Sequence, residues 1–264
     1  MDRTISRPLP HAAIALAAIS LAVPATAAAS TGGAGLTSPT HKRHTTRTTH
    51  KAHSSRSQVP TTPVTGRGNR LVTATGNGVT VQARRSALLR HGLTFSGTAP
   101  GDAGKTIEIE RNGHQTAWEW APTVSTTVQP GGAFSVTWKT NHIGRFAIRA
   151  VLETNLAQPA ATTESMPVTV YLPSVASWYG MFGHGTACGY KLTRHLLGVA
   201  NKTLPCGENV ALYYHGRTLV VPVIDRGPYV KGRRYDLTYA TAKALGTLSA
   251  GVATIGAVSL PTAP

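Results

Sequence analysis

A single carboxylate follows an apolar run in the last fifth of this 264-residue chain. The run extends from Val220 to Ile224, Asp225 comes directly after it, and Gly227-Pro228 ends it. A short apolar run that stops at Gly and Pro is typical of a buried strand. An acid at such a strand end, beside a fixed turn, could carry out general acid–base catalysis. It could also tie the turn down by accepting backbone hydrogen bonds.

The elements around this acid are predicted to be strands with one short helix. Asn209 to Tyr214 and Thr218 to Ile224 are predicted to form a hairpin around His215-Gly216-Arg217. A helix is predicted between Thr238 and Leu245, because its first residue is a good N-cap and Gly246 suits the position after the C-cap.

The first 29 residues are predicted to be a secretory signal peptide. Arg3 and Arg7 form a basic start, Ala12 to Val23 is apolar but too short to span a bilayer, and small residues follow. No later apolar segment has transmembrane length, so we expect an exported protein without a transmembrane anchor.

Export would place the two cysteines in an oxidising compartment. Cys188 and Cys206 lie close together in the sequence, and such a pair in an exported protein usually forms a disulfide. A metal site would need more cysteines or a close histidine pattern. We therefore expect a disulfide and neither a metal nor a cofactor.

The formal net charge of +16 is concentrated in the N-terminal part of the chain. No acidic residue occurs between Asp2 and Asp102, and Ser30 to Arg70 is rich in Lys, Arg, His, Thr, Ser and Pro. Such a composition cannot bury a core, so residues 30–70 are predicted to be a disordered basic linker. In an exported protein its expected partner is an anionic polymer of the cell wall rather than nucleic acid. A plain solubilising spacer is the alternative.

Residues 71–172 show the alternation of an antiparallel β-sandwich that is immunoglobulin-like in a general way only. Thr106 to Glu110, Phe134 to Trp138 and Phe146 to Ala150 repeat a period of two, and Gly-rich or Pro-rich breaks separate them. Trp118 and Trp120 share one face and could meet the core or a ligand, and the core is the preferred interpretation. Residues 173–264 form the second predicted domain.

The second domain carries a family resemblance. Six short blocks occur in order, namely Ser177-Trp178-Tyr179-Gly180, Thr186-Ala187-Cys188-Gly189, Val199 to Gly207, Asp225 to Tyr229, Arg234 to Thr238 and Ala244-Leu245-Gly246. This pattern resembles the rare lipoprotein A-like double-psi β-barrel family, which is distantly related to expansins. The resemblance implies a six-stranded barrel, so the expected fold class is all-β, with a β-sandwich, a double-psi β-barrel and one or two short helices.

The resemblance also implies an activity. Characterised members act on peptidoglycan as lytic transglycosylases, which cut the glycan and close a 1,6-anhydro ring without water. Asp225 matches the aspartate on which this activity depends, as general acid and then base. Asp236 matches a family position near the groove and is the candidate second acid, although it could instead hydrogen-bond the backbone ahead of the helix.

Two positions depart from the family pattern. Tyr190 stands where lytic members have a glutamate, and Asn201 stands where they have a histidine. Glycosidases normally use two carboxylates, so the missing glutamate bears on the activity. Both residues can still serve a binding groove, since tyrosine stacks on sugar faces and asparagine hydrogen-bonds hydroxyl and acetamido groups.

Three further residues are candidates for substrate binding. Trp178 and Tyr179 are suited to stacking on sugars, although one of them is expected to fill the barrel core. Arg226 is expected to point away from Asp225 or to hold the substrate. With Lys231, Arg233 and Arg234 it could form a basic rim for the carboxylates of peptidoglycan, or an ordinary solvated surface.

The sequence therefore predicts an exported, cell-wall-associated, monomeric protein that cleaves peptidoglycan glycan with Asp225 as acid and base. The alternative is a non-catalytic module that binds peptidoglycan or another wall polysaccharide, or loosens the wall as expansins do. A factor that stimulates another wall enzyme through the sandwich is a third possibility. Retention of both aspartates favours the enzyme, and loss of the glutamate and histidine favours the binding module.

Overall fold

The computed structural model describes residues 65–153 and 161–260. The predicted signal peptide and most of the predicted linker lie outside these ranges. The described residues form one α-helix, α1 (Tyr239–Leu245), and short 3-10 turns at His114–Thr116 and Leu248–Ala250. The strands are β1 (Thr65–Arg67), β2 (Leu71–Gly76), β3 (Val79–Arg84), β4 (Ser86–Leu88), β5 (Gly92–Thr98), β6 (Thr106–Asn112), β7 (Ala121–Thr127), β8 (Ala133–Lys139), β9 (Gly144–Leu152), β10 (Ala161–Thr162), β11 (Met166–Tyr179), β12 (Val199–Ala200), β13 (Asn209–Tyr214), β14 (Arg217–Asp225), β15 (Tyr235–Thr238) and β16 (Ala253–Ser259).

The N-terminal strands form a β-sandwich, as predicted. One sheet has the order β2-β3-β5-β8, and the other contains β7, β6, β9 and the first part of β11. Alternate side chains of both sheets meet in one core, where Phe95, Phe146, Ile107 and Ile109 are fully buried. The tryptophan prediction was wrong for Trp118, whose side chain is 40% exposed.

One pairing in the sandwich is parallel rather than antiparallel. β4 runs parallel to β11, because the chain crosses from one sheet to the other at Arg85 without changing direction. The Arg85 N–H donates to Arg70 in the first sheet, and its carbonyl accepts from the Thr169 N–H in the second.

Six strands close into a barrel in the C-terminal part. Their order is β15-β12-β14-β13-β16-β11, and β11 pairs back with β15 in parallel. The interior is filled by apolar side chains from every wall, including Leu212, Val223, Leu237 and Ile255, and by Leu245 of α1. The expected fold class, all-β with a six-stranded barrel and one short helix, is confirmed.

β11 belongs to both parts of the molecule. Residues 166–170 pair with β9 of the sandwich, and residues 172–179 pair with β16 and β15 of the barrel. The strand crosses the predicted domain boundary at 172/173 without a break. The sandwich and the barrel are thus joined by continuous sheet.

Part of the predicted linker forms a strand. The predicted linker extends to Arg70, yet β1 pairs antiparallel with Arg217–Leu219 of β14. β12 is only two residues long and pairs with the far end of β14, so β1 covers the part that β12 leaves free.

The local elements around the candidate acid are as predicted. His215 and Gly216 form the hairpin turn with φ of 44° and 81°. The Thr238 hydroxyl accepts from the Thr241 N–H as an N-cap, and Gly246 follows the helix with φ of 88°. No helix within residues 65–153 and 161–260 is long and apolar enough to cross a membrane.

Candidate active site

Asp225 is the last residue of β14, and its carboxylate is held by backbone amides. Oδ1 accepts from the Ala187 N–H at 2.9 Å and from the Arg226 N–H at 2.8 Å. Among the described residues no hydrogen bond reaches Oδ2, and no Lys, Arg or His nitrogen lies within 4.0 Å of the carboxylate. The turn-tying role is therefore real, but it uses one oxygen and leaves the other available.

Asp236 lies on β15 and faces the same side of the barrel wall as Asp225. Ala200 of β12 stands in register with both aspartates, one on each side. The register of β12 on β14 shifts between Val199 and Ala200, and the charge of Asp225 raises the pKa of the Asp236 carboxyl, so the two acids lie near each other. The structure thus brings the two predicted acids together across one residue.

A short hydrogen-bond relay holds Asp236. The Ser177 hydroxyl donates to Oδ1 of Asp236 at 2.8 Å, and the Arg233 guanidinium donates to the Ser177 oxygen at 3.1 Å. Burial raises the pKa of the Asp236 carboxyl; the hydrogen bond from Ser177 and the charge of Arg233 lower it, and the charge of Asp225 raises it. Burial dominates, so Asp236 keeps its proton to higher pH than an ordinary aspartate.

Tyr179 completes this face. It lies two residues beyond Ser177 on β11, so both side chains project from one side of the strand. Its hydroxyl is buried and makes no well-aligned hydrogen bond with the described residues. Burial raises the pKa of the Tyr179 hydroxyl, and the nearby Asp225 carboxylate raises it further. The group is therefore a neutral donor that faces Asp225.

A disulfide fixes the loop that carries Ala187. Cys188 and Cys206 are bonded, with Cα atoms 5.7 Å apart, as predicted. The Cys188 N–H donates to Ile224 at 3.3 Å and the Gly207 N–H donates to Val223 at 2.7 Å. The loop is thus held against the last residues of β14, where the Ala187 N–H donates to Asp225.

Asn201 is buried in the structure rather than open to a ligand. Only 5% of the Asn201 surface is exposed. Oδ1 accepts from the N–H groups of Thr203 and Leu204, and Nδ2 donates to the Arg234 carbonyl at 3.1 Å. These contacts shape the 201–204 turn, which leaves its oxygen no free position for a sugar hydroxyl.

Arg226 also serves the loop. Its guanidinium donates to the carbonyls of Asn201 and Leu204, and it lies 3.2 Å from the Cys206 sulfur. It points away from the Asp225 carboxylate, which is one of the two expected arrangements. These contacts engage it in holding the disulfide-closed segment.

Of the two remaining aromatic candidates, Tyr190 lies in the loop, and Trp178 projects from the side of β11 opposite to Ser177 and Tyr179. Tyr190 is half-buried, and its backbone exchanges hydrogen bonds with Thr186 in the loop. Trp178 is 37% exposed, donates from its indole N–H to the Leu248 carbonyl, and packs edge-to-face on Tyr239 at 5.9 Å.

Two residues of the site, Ser177 and Ala187, were not predicted from the sequence, and Arg233 was predicted only as part of a basic rim. Ser177 and Ala187 act through contacts with residues 59 and 38 positions away, and Arg233 acts through Ser177. No local pattern marks such contacts. The only sequence signal is that Ser177 and Ala187 fall inside the first two family blocks.

Comparisons with known proteins agree with this geometry. Residues 174–257 match the family model described as "Lytic transglycolase". A relative from Aquifex aeolicus named "Probable endolytic peptidoglycan transglycosylase RlpA" is 45% identical over 86 residues, which are 31% of this chain and 38% of that protein. The "Endolytic peptidoglycan transglycosylase RlpA" of Vibrio cholerae is 40% identical over 84 residues, 30% of this chain and 32% of that protein.

The chain thus spans between about a third and two fifths of the length of these two relatives. Among solved structures, the Streptomyces papain inhibitor is 29% identical and covers 34% of this chain and 93% of its own, with a TM-score of 0.30. The family match and the closed six-stranded barrel fall in the same part of the chain. Residues 174–257 are an RlpA-like double-psi β-barrel domain.

Proposed function

We propose that the barrel domain cleaves the glycan strands of peptidoglycan as a lytic transglycosylase, with Asp225 as general acid and base. The observation that carries the proposal is the Asp225 carboxylate, which has one oxygen fixed by two backbone amides and the other open on a face shared with Asp236 and Tyr179. The named activity of the relatives supports it.

The chemistry needs one group that first gives and then takes a proton. Protonated Asp225 donates to the glycosidic oxygen as the bond to the sugar C1 breaks. The resulting carboxylate then takes the proton of the C6 hydroxyl of the same sugar, whose oxygen bonds to C1 and closes the anhydro ring. No water is consumed, and Asp225 ends protonated as it began. Such assistance contributes roughly 10²–10⁴-fold to the rate.

Asp236 and Tyr179 support the two charge states of Asp225. Asp236 retains its proton to raised pH, which limits the negative charge opposite Asp225. The neutral Tyr179 hydroxyl can donate to the Asp225 carboxylate once that group has lost its proton. Asp236 and Tyr179 together take the place of the second carboxylate, for which the family has a glutamate. A second carboxylate to activate water is not needed, because the C6 hydroxyl of the sugar is the nucleophile.

A non-catalytic wall-binding module is the second candidate. The observation that favours it is Asn201, which stands at the family histidine and serves only the turn beneath the site. Tyr190 at the glutamate position points the same way. In this case Asp225 would hold the Ala187 loop and bind sugar hydroxyls.

Mass spectrometry of purified peptidoglycan tests the choice. Incubation with the protein should release anhydro-ended muropeptides, and Asp225→Asn should reduce them by about 10²–10⁴-fold. The asparagine keeps an oxygen for the two amides, so the fold should persist. Glu208→Gln, which removes a barrel acid bonded to Ser259, is the matched control and should retain activity. Peptidoglycan that binds the wild type without new ends would establish the binding module.

We further infer that the protein works outside the cytoplasm, attached to the cell wall. The Cys188–Cys206 disulfide supports this location, since such bonds persist in oxidising compartments. The predicted basic segment 30–70 would add attraction to anionic wall polymers. Cell fractionation of a tagged chain, with and without residues 30–64, is the test; recovery of both forms in the cytosol would contradict it.

A further inference from the structure

A cleft separate from the Asp225–Asp236 face lies beside helix α1. Its volume is about 510 Å³, within the range of small-ligand sites, and it is lined by Arg194, Leu197, Arg217, Tyr239, Ala240 and Lys243. The walls come from the loop before β12, the start of β14 and the first turns of α1. It shares no lining residue with the Asp225–Asp236 face.

The cleft is strongly basic. Arg194, Arg217 and Lys243 are all exposed and line it together with His195, and no Asp or Glu does. Within the described ranges, the ion pairs are Lys105–Asp102 and Arg149–Glu110, both in the sandwich. Three neighbouring cations without a counter-charge repel one another and attract an anion, most strongly a carboxylate or phosphate that accepts from the Arg fork.

Aromatic rings hold Arg194 of the cleft in place. The Arg194 guanidinium lies 4.9 Å from the ring centroid of Phe182 and 5.9 Å from that of Tyr239. Phe182 and Tyr239 pack edge-to-face, with centroids 5.9 Å apart. Trp178 packs on Tyr239 from another side. A guanidinium fixed by rings loses less freedom when it binds an anion.

The same rings offer apolar faces next to these cations. Phe182 remains 36% exposed and Trp178 37% exposed. Sugar rings have apolar faces that pack on aromatic side chains. An aromatic shelf beside three cations fits a sugar that carries a negatively charged substituent better than it fits a simple inorganic anion.

The cleft and the acid face are linked through the chain. Trp178 is adjacent to Tyr179 on β11, and Tyr239 is three residues beyond Asp236. The loop that presents Arg194 also presents Ala187, whose N–H holds Asp225. Arg217 begins β14 and Asp225 ends it, about 26 Å apart along the strand, so a polymer of several sugars is needed to contact both.

We propose that this cleft is a second subsite that binds a carboxylate borne by the glycan, with the sugar against Phe182 and Tyr239 and the carboxylate on Arg194, Arg217 and Lys243. The proposal rests on the proposed function for its choice of polymer. Where that glycan carries no stem peptide, the lactyl ether of muramic acid leaves one free carboxylate on alternate sugars. The cleft would thus set the register of the strand relative to Asp225.

Binding to matched glycans tests the cleft. Soluble peptide-free glycan is compared with the same glycan whose lactyl carboxylates are converted to methyl esters, using the full chain and calorimetry at low salt. The wild type should bind the free acid at least ten-fold more tightly, and Arg194→Gln/Arg217→Gln/Lys243→Gln should bind both forms alike. Arg70→Gln/Arg84→Gln/Lys139→Gln removes the same charge from exposed sandwich positions and should keep the preference.

The outcomes separate this proposal from the proposed function. Asp225→Asn should lose cleavage and keep the carboxylate preference. If the wild type forms no anhydro ends but prefers the free-acid glycan, and the cleft variant loses that preference, the subsite is supported and the enzyme is rejected. Equal loss of preference in both triple variants would reject the subsite and leave only overall charge. Competition by inorganic phosphate or a polyol phosphate, without preference for the glycan acid, would also overturn it.

Discussion

The sandwich contains two ion-paired carboxylates, and the described barrel contains none. In the sandwich, Glu110 pairs with Arg149 at 2.6 Å and Asp102 pairs with Lys105 at 2.7 Å. In the described barrel no acid has such a partner, and each one meets a neutral donor instead: Asp225 meets backbone amides, Asp236 the Ser177 hydroxyl and Glu208 the Ser259 hydroxyl. Two sandwich carboxylates are thus neutralised by a neighbouring cation, whereas the barrel carboxylates are oriented by neutral donors.

The largest expected effect tests whether the two regions are one folding unit. Leu212 in the barrel and Ile109 in the sandwich are fully buried, and Leu→Ala or Ile→Ala costs about 2–5 kcal/mol. Because β11 is shared and Tyr171 stacks on Tyr213 at 5.5 Å, we expect each substitution to lower the Tm of a single transition. Calorimetry showing two transitions, each moved by one substitution alone, would break this part of the comparison.

The disulfide gives the next effect. Cys188 and Cys206 are 18 positions apart, and replacing both by Ser should cost about 3 kcal/mol by release of loop entropy. Cleavage should also fall, since the Ala187 N–H would no longer be held at Asp225. Thermal melts with and without reductant measure the first effect: reductant should lower the Tm of the wild type and leave the double variant unchanged. An equal decrease in both proteins would mean that the bond is not what stabilises the loop.

Removing a paired charge from the sandwich should matter less. Glu110→Gln keeps the size of the side chain and removes one member of the Arg149 pair, for a cost of about 1 kcal/mol or less. Cleavage should be unaffected, in contrast with Asp225→Asn. Denaturant melts and the anhydro-end assay on the same preparation make this comparison. Loss of activity in Glu110→Gln would show that charges in the sandwich take part in function.

The smallest effect is a pH dependence of stability from Asp236. The folded protein keeps the Asp236 proton above pH 4, where the unfolded chain has lost it, because the folded pKa is raised. The free energy of unfolding should therefore fall as pH rises through this window, with a slope smaller than that expected for the release of one full proton. Asp236→Asn, which still accepts from Ser177, should lack this decline. Parallel curves for the two proteins from pH 3.5 to 7 would place the Asp236 pKa at its ordinary value.

Local elements of the site were predictable because short-range chemistry determines them. The hairpin follows from two apolar runs around His215-Gly216, and the helix from Thr238 and Gly246, where φ of 88° suits glycine. Asp225 and Asp236 were recognised from the family blocks, and the disulfide from export and spacing. The signals for the hairpin and the helix lie within a few residues of the features that they predict.

Contacts between distant segments were not predictable in this way. β1 lies in a stretch with linker composition, and it forms a strand because β14 offers an unpaired edge. Asn201 has the right chemistry for sugars, but the burial that gives it to the turn depends on Arg234 and Leu204. The roles of Ser177 and Tyr179 depend on which strands the barrel places side by side. Only the closed topology supplies this information.

β11 also has a mechanical consequence. Its 14 residues extend for about 46 Å and are bonded to the sandwich over the first part and to the barrel over the rest. A pull on the barrel, such as a stretched polymer would apply, therefore loads the ladders with β9 and β16 in shear instead of bending a flexible joint. The sandwich is then a rigid support, and the barrel keeps its orientation relative to the sandwich while a bound polymer is under tension.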